Sequence, residues 1–279
     1  MLKAILNPAG HLAAIGQLTL LLSRHRQLTW EMTKRELQER YAGQALGAFW
    51  AIGHPVLMLA IYVFAFAYVF RIRFLDAAGS NLDYTAYLLA GLIPWLAFQD
   101  AMHKGAVVVV NSAGLVKQVV FPVEILPLKG VLASTFTEVI ALACLLIYSA
   151  FKQSAFLWTW LLLPLLVVCQ ALAMTGVCYV LAAFGTFFRD VKDIVILFTT
   201  AGLYLMPVLY TPGLVPGKME ALFYLNPFSY MVWCYQDAAF YGRFVHPLAW
   251  FVYPLLSLGC FYVGYRVFRK LRPLFGNVL

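Results

Sequence analysis

Long apolar runs separated by short polar segments dominate the pattern of this chain from about residue 48 onward. Between Phe49 and Phe70, 22 consecutive residues include no Lys, Arg, Asp or Glu. A helix of that length crosses roughly 30 Å of hydrocarbon at about 1.5 Å per residue. Five later runs are also predominantly apolar. The six predicted membrane spans cover residues 48–70, 84–102, 130–151, 157–187, 194–210 and 249–267.

A charged amphipathic segment, residues 28–45, precedes the first span. Glu31 stands four positions before Arg35, and Glu36 stands four positions before Arg40, which is the order that favours ion pairs along a helix. Its apolar face consists of Trp30, Leu37 and Tyr41. The pattern predicts an N-terminal helix that lies in the membrane interface.

Two segments between the spans are too irregular to face lipid throughout. Residues 103–129 mix Gly, Pro and charged positions and predict a helix–turn–helix at the membrane surface. Residues 211–247 contain four prolines and apolar pieces too short to cross, which predicts re-entrant or gate helices between spans five and six. The predicted fold class is an all-α polytopic membrane protein with one domain, residues 1–279.

Composition and charge agree with this pattern. The chain is 63% hydrophobic and 11% charged, with a mean hydropathy of +0.82, whereas a soluble domain has about a quarter charged residues. Six spans leave few of the 20 Lys and Arg residues on the side away from the termini. Those few are Arg71, Arg73, Lys152, Lys218 and Arg243. The bases therefore predict that both termini of a multi-pass membrane protein lie in the cytosol, and the net charge of +8 does not indicate nucleic-acid binding.

The sequence contains no recognisable catalytic or metal-binding motif. Gly213 and Gly217 are separated by three residues where a nucleotide-binding loop has four, and Met219 replaces the Ser or Thr that holds magnesium. The five histidines form no H-E-x-x-H motif, and the five cysteines form no C-x-x-C motif. We therefore expect no enzyme activity, metal or cofactor in this chain.

Glu138 is the clear carboxylate within a predicted span. Ionisable groups in a bilayer are often functional, which leaves proton coupling open. The alternative is a carboxylate hydrogen-bonded to Ser134, Thr135 or Thr137, or one that lies near the membrane interface. Proton-coupled carriers usually show several such groups, so we expect a cytosolic motor to supply the energy for transport.

Four motifs resemble those of one transporter family. The first consists of Arg35-Glu36-Leu37, Arg40-Tyr41, Leu46-Gly47, Phe49-Trp50 and Pro55. The second consists of Asn111, Leu115-Val116-Lys117, Phe121-Pro122 and Glu124-Ile125-Leu126-Pro127. The third is Phe188-Arg189-Asp190-Val191, and the fourth comprises Asn226-Pro227-Phe228, Tyr235, Asp237 and Tyr241-Gly242. In this order the motifs resemble the permeases of ABC type-2 exporters for polysaccharide and polyol phosphate, which serve O-antigen, capsule and teichoic acid.

The resemblance implies a homodimer that works with two copies of a cytosolic ABC ATPase, where ATP and magnesium would bind. Residues 103–129 would form the coupling loop that contacts this ATPase. The residues expected there are Lys117, Val120, Phe121, Pro122 and Glu124. An apolar patch between Lys117 and Glu124 suits an interface with a polar rim.

The resemblance also implies a lipid-linked glycan as substrate, carried on an undecaprenyl-diphosphate-type lipid and taken up from the inner leaflet. Bases that suit its diphosphate are Lys34, Arg35, Arg40 and Arg189. Aromatic residues expected to line the glycan channel are Tyr62, Phe66, Phe70, Tyr204 and Tyr210. In the first span Tyr62, Phe66 and Phe70 recur every four residues and form one stripe, with Phe64 and Tyr68 turned away from it. Residues expected at the outer gate are Asn226, Pro227, Tyr235 and Asp237.

Three other classes of membrane protein share some of these features. An ABC type-2 permease for a drug or small lipid shares the architecture but differs in the N-terminal and loop motifs. A membrane-embedded sugar transferase needs a cluster of Asp, Glu or His at one membrane face. A secondary carrier needs paired carboxylates or inverted repeats. The sequence shows no such acidic or histidine cluster, no paired carboxylates and no inverted repeats.

Overall fold

The computed structural model describes residues 23–39, 43, 47–70, 73–75, 81–117, 121–153, 156–210 and 217–278, and these residues are almost entirely helical. The helices are α1 (Arg26–Glu39), α2 (Trp50–Val63), α3 (Tyr84–Asn111), α4 (Ala113–Val116), α5 (Ile125–Gln153), α6 (Leu163–Phe187), α7 (Val191–Tyr204), α8 (Gly217–Leu225), α9 (Pro227–Gln236), α10 (Pro247–Leu271) and α11 (Phe275–Val278). Short 3₁₀ turns occupy Gly47–Phe49, Trp158–Leu162 and Arg272–Leu274.

Two helices continue in a wider π-helical form. Helix α2 runs on through Phe64–Phe70, and α9 runs on through Asp237–Tyr241. A short antiparallel ribbon of β1 (Arg73–Leu75) and β2 (Asn81–Asp83) follows the first of these. Apart from this ribbon, the predicted all-helical class is confirmed for the described residues.

Helix α3 forms the centre of the bundle. Of its 28 residues, 20 are buried, and it packs against α5, α6, α7 and α9. Asp83 fixes the start of the helix, because its Oδ1 accepts a hydrogen bond from the Thr85 backbone N–H and its Oδ2 accepts one from the Tyr148 hydroxyl on α5. Gln170 on α6 donates to the carbonyl of Pro94 near the middle of the helix. These bonds tie α3 to its neighbours along its length.

Glycines allow α6 to approach two neighbouring helices at backbone distance. A methyl group on Gly264 of α10 would lie 1.9 Å from the carbonyl oxygen of Gly176 on α6. A methyl group on Gly185 would lie 2.0 Å from the carbonyl oxygen of Ala106 on α3. Small residues at such crossings let membrane helices pack closely. Helix α6 is thereby held between α10 and α3.

The prediction of six spans is confirmed only in part. The described residues contain four helical segments long and apolar enough to cross a bilayer, which are Ile52–Val69, Ile125–Lys152, Trp158–Phe187 and Pro247–Leu274. The predicted second span falls in α3, which is not one of these four segments. Because other helices surround α3, its side chains need not be as apolar as those of a helix that faces lipid. The predicted fifth span falls in α7, which has only 14 residues and ends at Tyr204.

Of the two irregular segments, the first differs from its prediction. The first nine residues of 103–129 are the end of α3, which continues to Asn111, so the described residues between α3 and α5 form one short helix, α4. Residues 217–241 form two short helices, α8 and α9 with its π-helical extension, as the prolines predicted. Neither short helix is long enough to cross a bilayer.

Candidate functional site

The start of α5 is fixed by an ion pair between distant parts of the chain. Arg272, just beyond α10, places Nη1 2.6 Å from Oε1 of Glu124. Glu124 is only 3% exposed, and the Tyr179 hydroxyl on α6 donates to its backbone carbonyl at 3.0 Å. Glu124 was predicted as an exposed rim residue of the coupling loop. The structure corrects this, because its carboxylate points inward to Arg272.

A second ion pair joins α1 to α5. Lys129 Nζ lies 2.8 Å from Oε2 of Glu36, and both side chains are largely buried. Arg35 lies 2.7 Å from Glu39, one turn further on, instead of forming the pair with Glu31 that the spacing suggested. Arg40, the expected partner of Glu36, lies outside the described residues. The N-terminal helix therefore packs on the bundle at the same end as the Arg272–Glu124 pair.

A cleft of about 850 Å³ separates α1 from the ends of α3 and α5. The predicted coupling residue Phe121 lines it and is half-buried, together with the half-buried Leu115 and Met32. Lys117 is exposed at the end of α4, Pro122 is half-buried, and Val120 lies outside the described residues. Of the predicted coupling residues that the structure describes, Lys117, Phe121 and Pro122 thus remain at the surface of this end of the protein, and Glu124 does not.

The bases predicted to bind the diphosphate are exposed where they are described. Lys34 and Arg35 lie on α1, and Arg189 lies on the turn between α6 and α7. Arg35 lines the cleft, but its guanidinium is shared with Glu39. Lys34 on α1 and Arg189 on the turn after α6 are therefore exposed bases on two separate elements.

The aromatic residues of α2 divide between two faces, as their spacing predicted. The rings of Tyr62 and Phe66 stack with centroids 6.4 Å apart, and both are half-buried against the core. Phe64 and Tyr68 stack with centroids 6.5 Å apart on the opposite face, where they are 63% and 66% exposed. The side chain of Phe70 is not described.

The two predicted channel tyrosines after α6 have different surroundings. Tyr204 at the end of α7 is 59% exposed. Tyr210 is half-buried and stacks on Phe223 of α8, with ring centroids 5.9 Å apart. The structure thus places Tyr204 on the outside of the single chain and Tyr210 against the short helices.

Asn226 and Pro227 build the start of α9. The Asn226 side chain accepts a hydrogen bond from the Phe228 backbone N–H at 3.0 Å, while its amide donates to the Leu205 carbonyl at 3.0 Å. Pro227 occupies the first turn, where its missing N–H costs nothing. Phe228 then packs edge-on against Trp95 and Phe98 of α3. This predicted gate motif therefore anchors α9 to the central helix.

Asp237 is fully buried and holds the turn that leads into α10. Its Oδ2 accepts hydrogen bonds from the His246 backbone N–H at 2.9 Å and from the Trp250 indole at 3.1 Å. Its Oδ1 lies 2.9 Å from Nδ1 of the same histidine. Burial and the nearby Asp237 carboxylate raise the pKa of Tyr241 to about 12. The Tyr241 hydroxyl is therefore protonated at neutral pH.

Asp237→Ala is expected to destabilise the protein much more than Asp237→Asn. Alanine leaves the His246 N–H and the Trp250 indole without an acceptor, at about 1–3 kcal/mol for each buried group. Asparagine can retain both bonds through its carbonyl oxygen and turn its amide toward the imidazole. Thermal unfolding of the detergent-solubilised variants measures the difference. Equal melting temperatures for the two variants would contradict this role for Asp237.

Tyr235 and Glu138 form a buried pair between α9 and α5. The Tyr235 hydroxyl donates to Oε1 of Glu138 at 2.9 Å, and Glu138 is 2% exposed. The Ser134 hydroxyl lies 2.7 Å from Asp100 Oδ2 and 3.0 Å from the Gly130 carbonyl, Thr137 donates to the Ala133 carbonyl, and Thr135 has no hydrogen-bond partner among the described residues. The predicted hydroxyl partners of Glu138 were therefore wrong, because the actual donor comes from a helix 97 residues away. Within the described residues, Oε2 of Glu138 has no hydrogen-bond partner.

A cavity of about 330 Å³ lies between α2, α3 and α5. Its apolar wall includes Met58, Leu59, Leu92 and Ile93, and Tyr62 contributes a phenol ring. The polar wall consists of His54, Gln99, Asp100, His103, Ser134, Thr137 and Glu138. The cavity therefore brings together Glu138 and one residue of the predicted aromatic stripe.

Sequence reasoning missed a polar cluster beside this cavity. Asp100 Oδ2 lies 2.7 Å from Nζ of Lys104 and accepts a hydrogen bond from the Ser134 hydroxyl at 2.7 Å. His103 Nε2 lies 2.9 Å from the hydroxyl of Thr199 on α7. The i,i+4 spacing of Asp100 and Lys104 was a visible signal. The contacts to Ser134 and Thr199 depend on tertiary packing.

A sequence profile described as "ABC-2 type transporter" matches residues 27–240 of the chain. The chain is 26% identical over 255 residues to "O-antigen export system permease protein RfbA" of Klebsiella pneumoniae. The aligned region covers 89% of this chain and 93% of that protein. It is 29% identical over 223 residues to a protein of the same name from Myxococcus xanthus, covering 79% and 82%. It is 20% identical over 240 residues to "Polysialic acid transport protein KpsM" of Escherichia coli, covering 84% and 90%.

Proposed function

Because the chain belongs to the ABC-2 type transporter family, we propose that it is the permease subunit of an ATP-driven exporter of lipid-linked polysaccharide. The observation that carries this proposal is the similarity to O-antigen export permeases, which extends over 79% to 89% of the chain. The similarity to a polysialic acid transport protein supports the same class of cargo. The substrate is then an O-antigen-like or capsule-like glycan on a diphosphate lipid, with teichoic acid as a third member of the class.

The proposed topology has six crossings in a bacterial inner membrane. Four are the long apolar helices, and α3 and the segment 191–210 supply the other two. Helix α3 is surrounded by other helices, so its polar residues need not meet lipid. The asymmetry of Lys and Arg then favours cytosolic termini, with the α1 cleft on the cytosolic side and α8 and α9 on the outer side as gate helices.

The cleft beside α1 is the proposed docking region for a cytosolic ATPase. It has exposed Lys117 nearby and half-buried Leu115 and Phe121 in its wall, which resembles an apolar interface core with a charged rim. Two ion pairs, Glu36–Lys129 and Arg272–Glu124, hold the elements around it. Movement of a bound ATPase would therefore be transmitted directly to α5 and α10.

We propose that two copies of the chain form the exporter. In a single chain only 11% of the Ile52–Val69 span is buried, and α7 exposes Leu197 and Tyr204 to 73% and 59%. A second copy against these helices would bring the exposed tyrosine of α7 near α2 of its partner. The polymer path would then run between the two copies, with exposed Lys34 and Arg189 at its cytosolic end.

Replacement of Tyr62 and Phe66 together by Ala is expected to reduce polysaccharide export, because flat aromatic faces pack on the C–H faces of sugars. The matched control is Phe64→Ala with Tyr68→Ala, a stacked pair on the same helix that points outward. Export is measured as surface glycan per molecule of folded permease. A larger loss in the control pair would assign the path to the outer face of α2 and contradict the predicted stripe.

Purification in mild detergent from native membranes tests the proposal as a whole. The expected result is a soluble protein with nucleotide-binding motifs recovered with the permease in equal amounts, ATP hydrolysis by the pair, and loss of surface polysaccharide when the permease is deleted. A small-lipid or drug permease would bring down an ATPase but leave surface polysaccharide unchanged on deletion. A proton-coupled carrier would purify without an ATPase.

A further inference from the structure

The cavity between α2, α3 and α5 combines features of a small-molecule binding site. Its volume of about 330 Å³ lies at the lower end of the range for ligand pockets. Apolar side chains form one wall, and several polar side chains converge from α3 and α5. Leu96 and Met58 in its wall are 40% and 44% exposed, so the cavity has a rim that a ligand can reach.

Glu138 supplies a second, independent observation. It is only 2% exposed and belongs to the wall of the cavity. Tyr235 satisfies Oε1, but within the described part of the chain Oε2 has no hydrogen-bond partner. A buried polar atom without a partner is costly, at about 1–3 kcal/mol. A ligand group that enters the cavity is the means by which this oxygen could be satisfied.

The chemistry of the wall selects among ligands. A hydroxyl group can donate to a carboxylate or accept from a carboxylic acid, so a sugar hydroxyl suits Glu138 in either protonation state. Thr137 and His103 offer further polar atoms, and the Tyr62 ring offers a flat face for sugar C–H groups. A phosphate would meet the carboxyl groups of Asp100 and Glu138, and an acyl chain would leave Oε2 unsatisfied.

We propose that this cavity is a side pocket that holds one sugar unit of the exported glycan. The inference rests on the proposed function and adds to it a subsite within each copy of the chain, separate from a path between two copies. A cavity of this size accommodates about one sugar ring, so it holds one unit of the polymer at a time and does not form a continuous channel.

Two alanines of α5 provide a matched pair of substitutions. Ala141 lines the cavity, whereas Ala143 is exposed on the outer side of the same helix. Ala141→Leu fills part of the pocket and keeps both residues of the Tyr235–Glu138 bond, and is expected to lower surface polysaccharide about tenfold, the effect of about 1.4 kcal/mol. Ala143→Leu is expected to export like the wild type. Equal export by the two variants, at equal amounts of folded protein, would overturn the pocket.

Photocrosslinking in cells tests occupancy directly. Leu96→p-benzoylphenylalanine places the probe at the rim of the cavity, and Phe251→p-benzoylphenylalanine places it on the exposed face of α10. The expected result is a permease–polysaccharide adduct at position 96 that disappears in Ala141→Leu and is absent at position 251. A phospholipid adduct, or no adduct, at position 96 would overturn the proposal.

The two proposals fail in different ways. If deletion of the wild-type permease leaves surface polysaccharide unchanged, the proposed function is wrong. If deletion abolishes the polysaccharide but position 96 captures only phospholipid or nothing, the export function stands and the sugar pocket is rejected.

Discussion

Gly264→Leu is expected to prevent α10 from docking on α6. Even a methyl group at this position would lie 1.9 Å from the Gly176 carbonyl oxygen. Because the clashing atoms belong to the backbone of α6, no side chain can move aside to relieve the clash. The two helices must separate, which removes their packing along much of their length. Overpacking by single methylenes already costs about 1–3 kcal/mol, so we expect a larger loss here, of the order of the whole stability of a domain.

Gly259→Leu is the control for this prediction. Gly259 belongs to the same helix, and a methyl group there meets no atom within 4 Å. Size-exclusion chromatography of fluorescently tagged protein should show a monodisperse peak for Gly259→Leu and aggregate or no peak for Gly264→Leu. Monodisperse Gly264→Leu with an unchanged melting temperature would mean that α6 and α10 do not approach as closely as the structure shows.

Arg272→Met is expected to destabilise the end of the bundle that carries α1 and α4. The substitution removes the partner of Glu124, whose side chain is 4% exposed and whose Oε2 already has no hydrogen-bond partner among the described residues. Breaking a buried ion pair at one partner costs about 3–5 kcal/mol, and we expect the lower end because Arg272 is 42% exposed. We also expect weaker recovery of the proposed ATPase, because the start of α5 loses its anchor.

Lys270→Met and a double variant make this test specific. Lys270 is an exposed base two residues earlier, so its replacement should leave the melting temperature within about 1–2 °C of the wild type. Glu124→Gln combined with Arg272→Met removes the uncompensated charge and should recover part of the loss. A double variant no more stable than Arg272→Met alone would show that the buried charge is not the cause.

The predictions that succeeded rest on local periodicity. The uncharged run from Phe49 to Phe70 specified one long helix, and the four-residue spacing of its aromatics separated Tyr62 and Phe66 from Phe64 and Tyr68. Each of these features depends on residues fewer than five positions apart.

The predictions that failed depend on contacts between distant residues. Glu124 looked like an exposed loop residue until Arg272, 148 positions later, was found to bind it. Glu138 has hydroxyls nearby in sequence, yet its donor is Tyr235 from another helix. The sequence predicted a short span that ends at residue 102, followed by a surface loop. The structure instead shows one helix, α3, which is buried within the bundle and continues to Asn111.

By itself the sequence determined that this chain is a helical membrane protein, since long apolar runs and an excess of bases on one side are properties of composition and order. Only the tertiary structure decided which polar groups meet inside it. The cavity, the Tyr235–Glu138 bond and the Arg272–Glu124 pair arise where helices cross, because packing of whole helix faces, not local spacing, sets which side chains face each other.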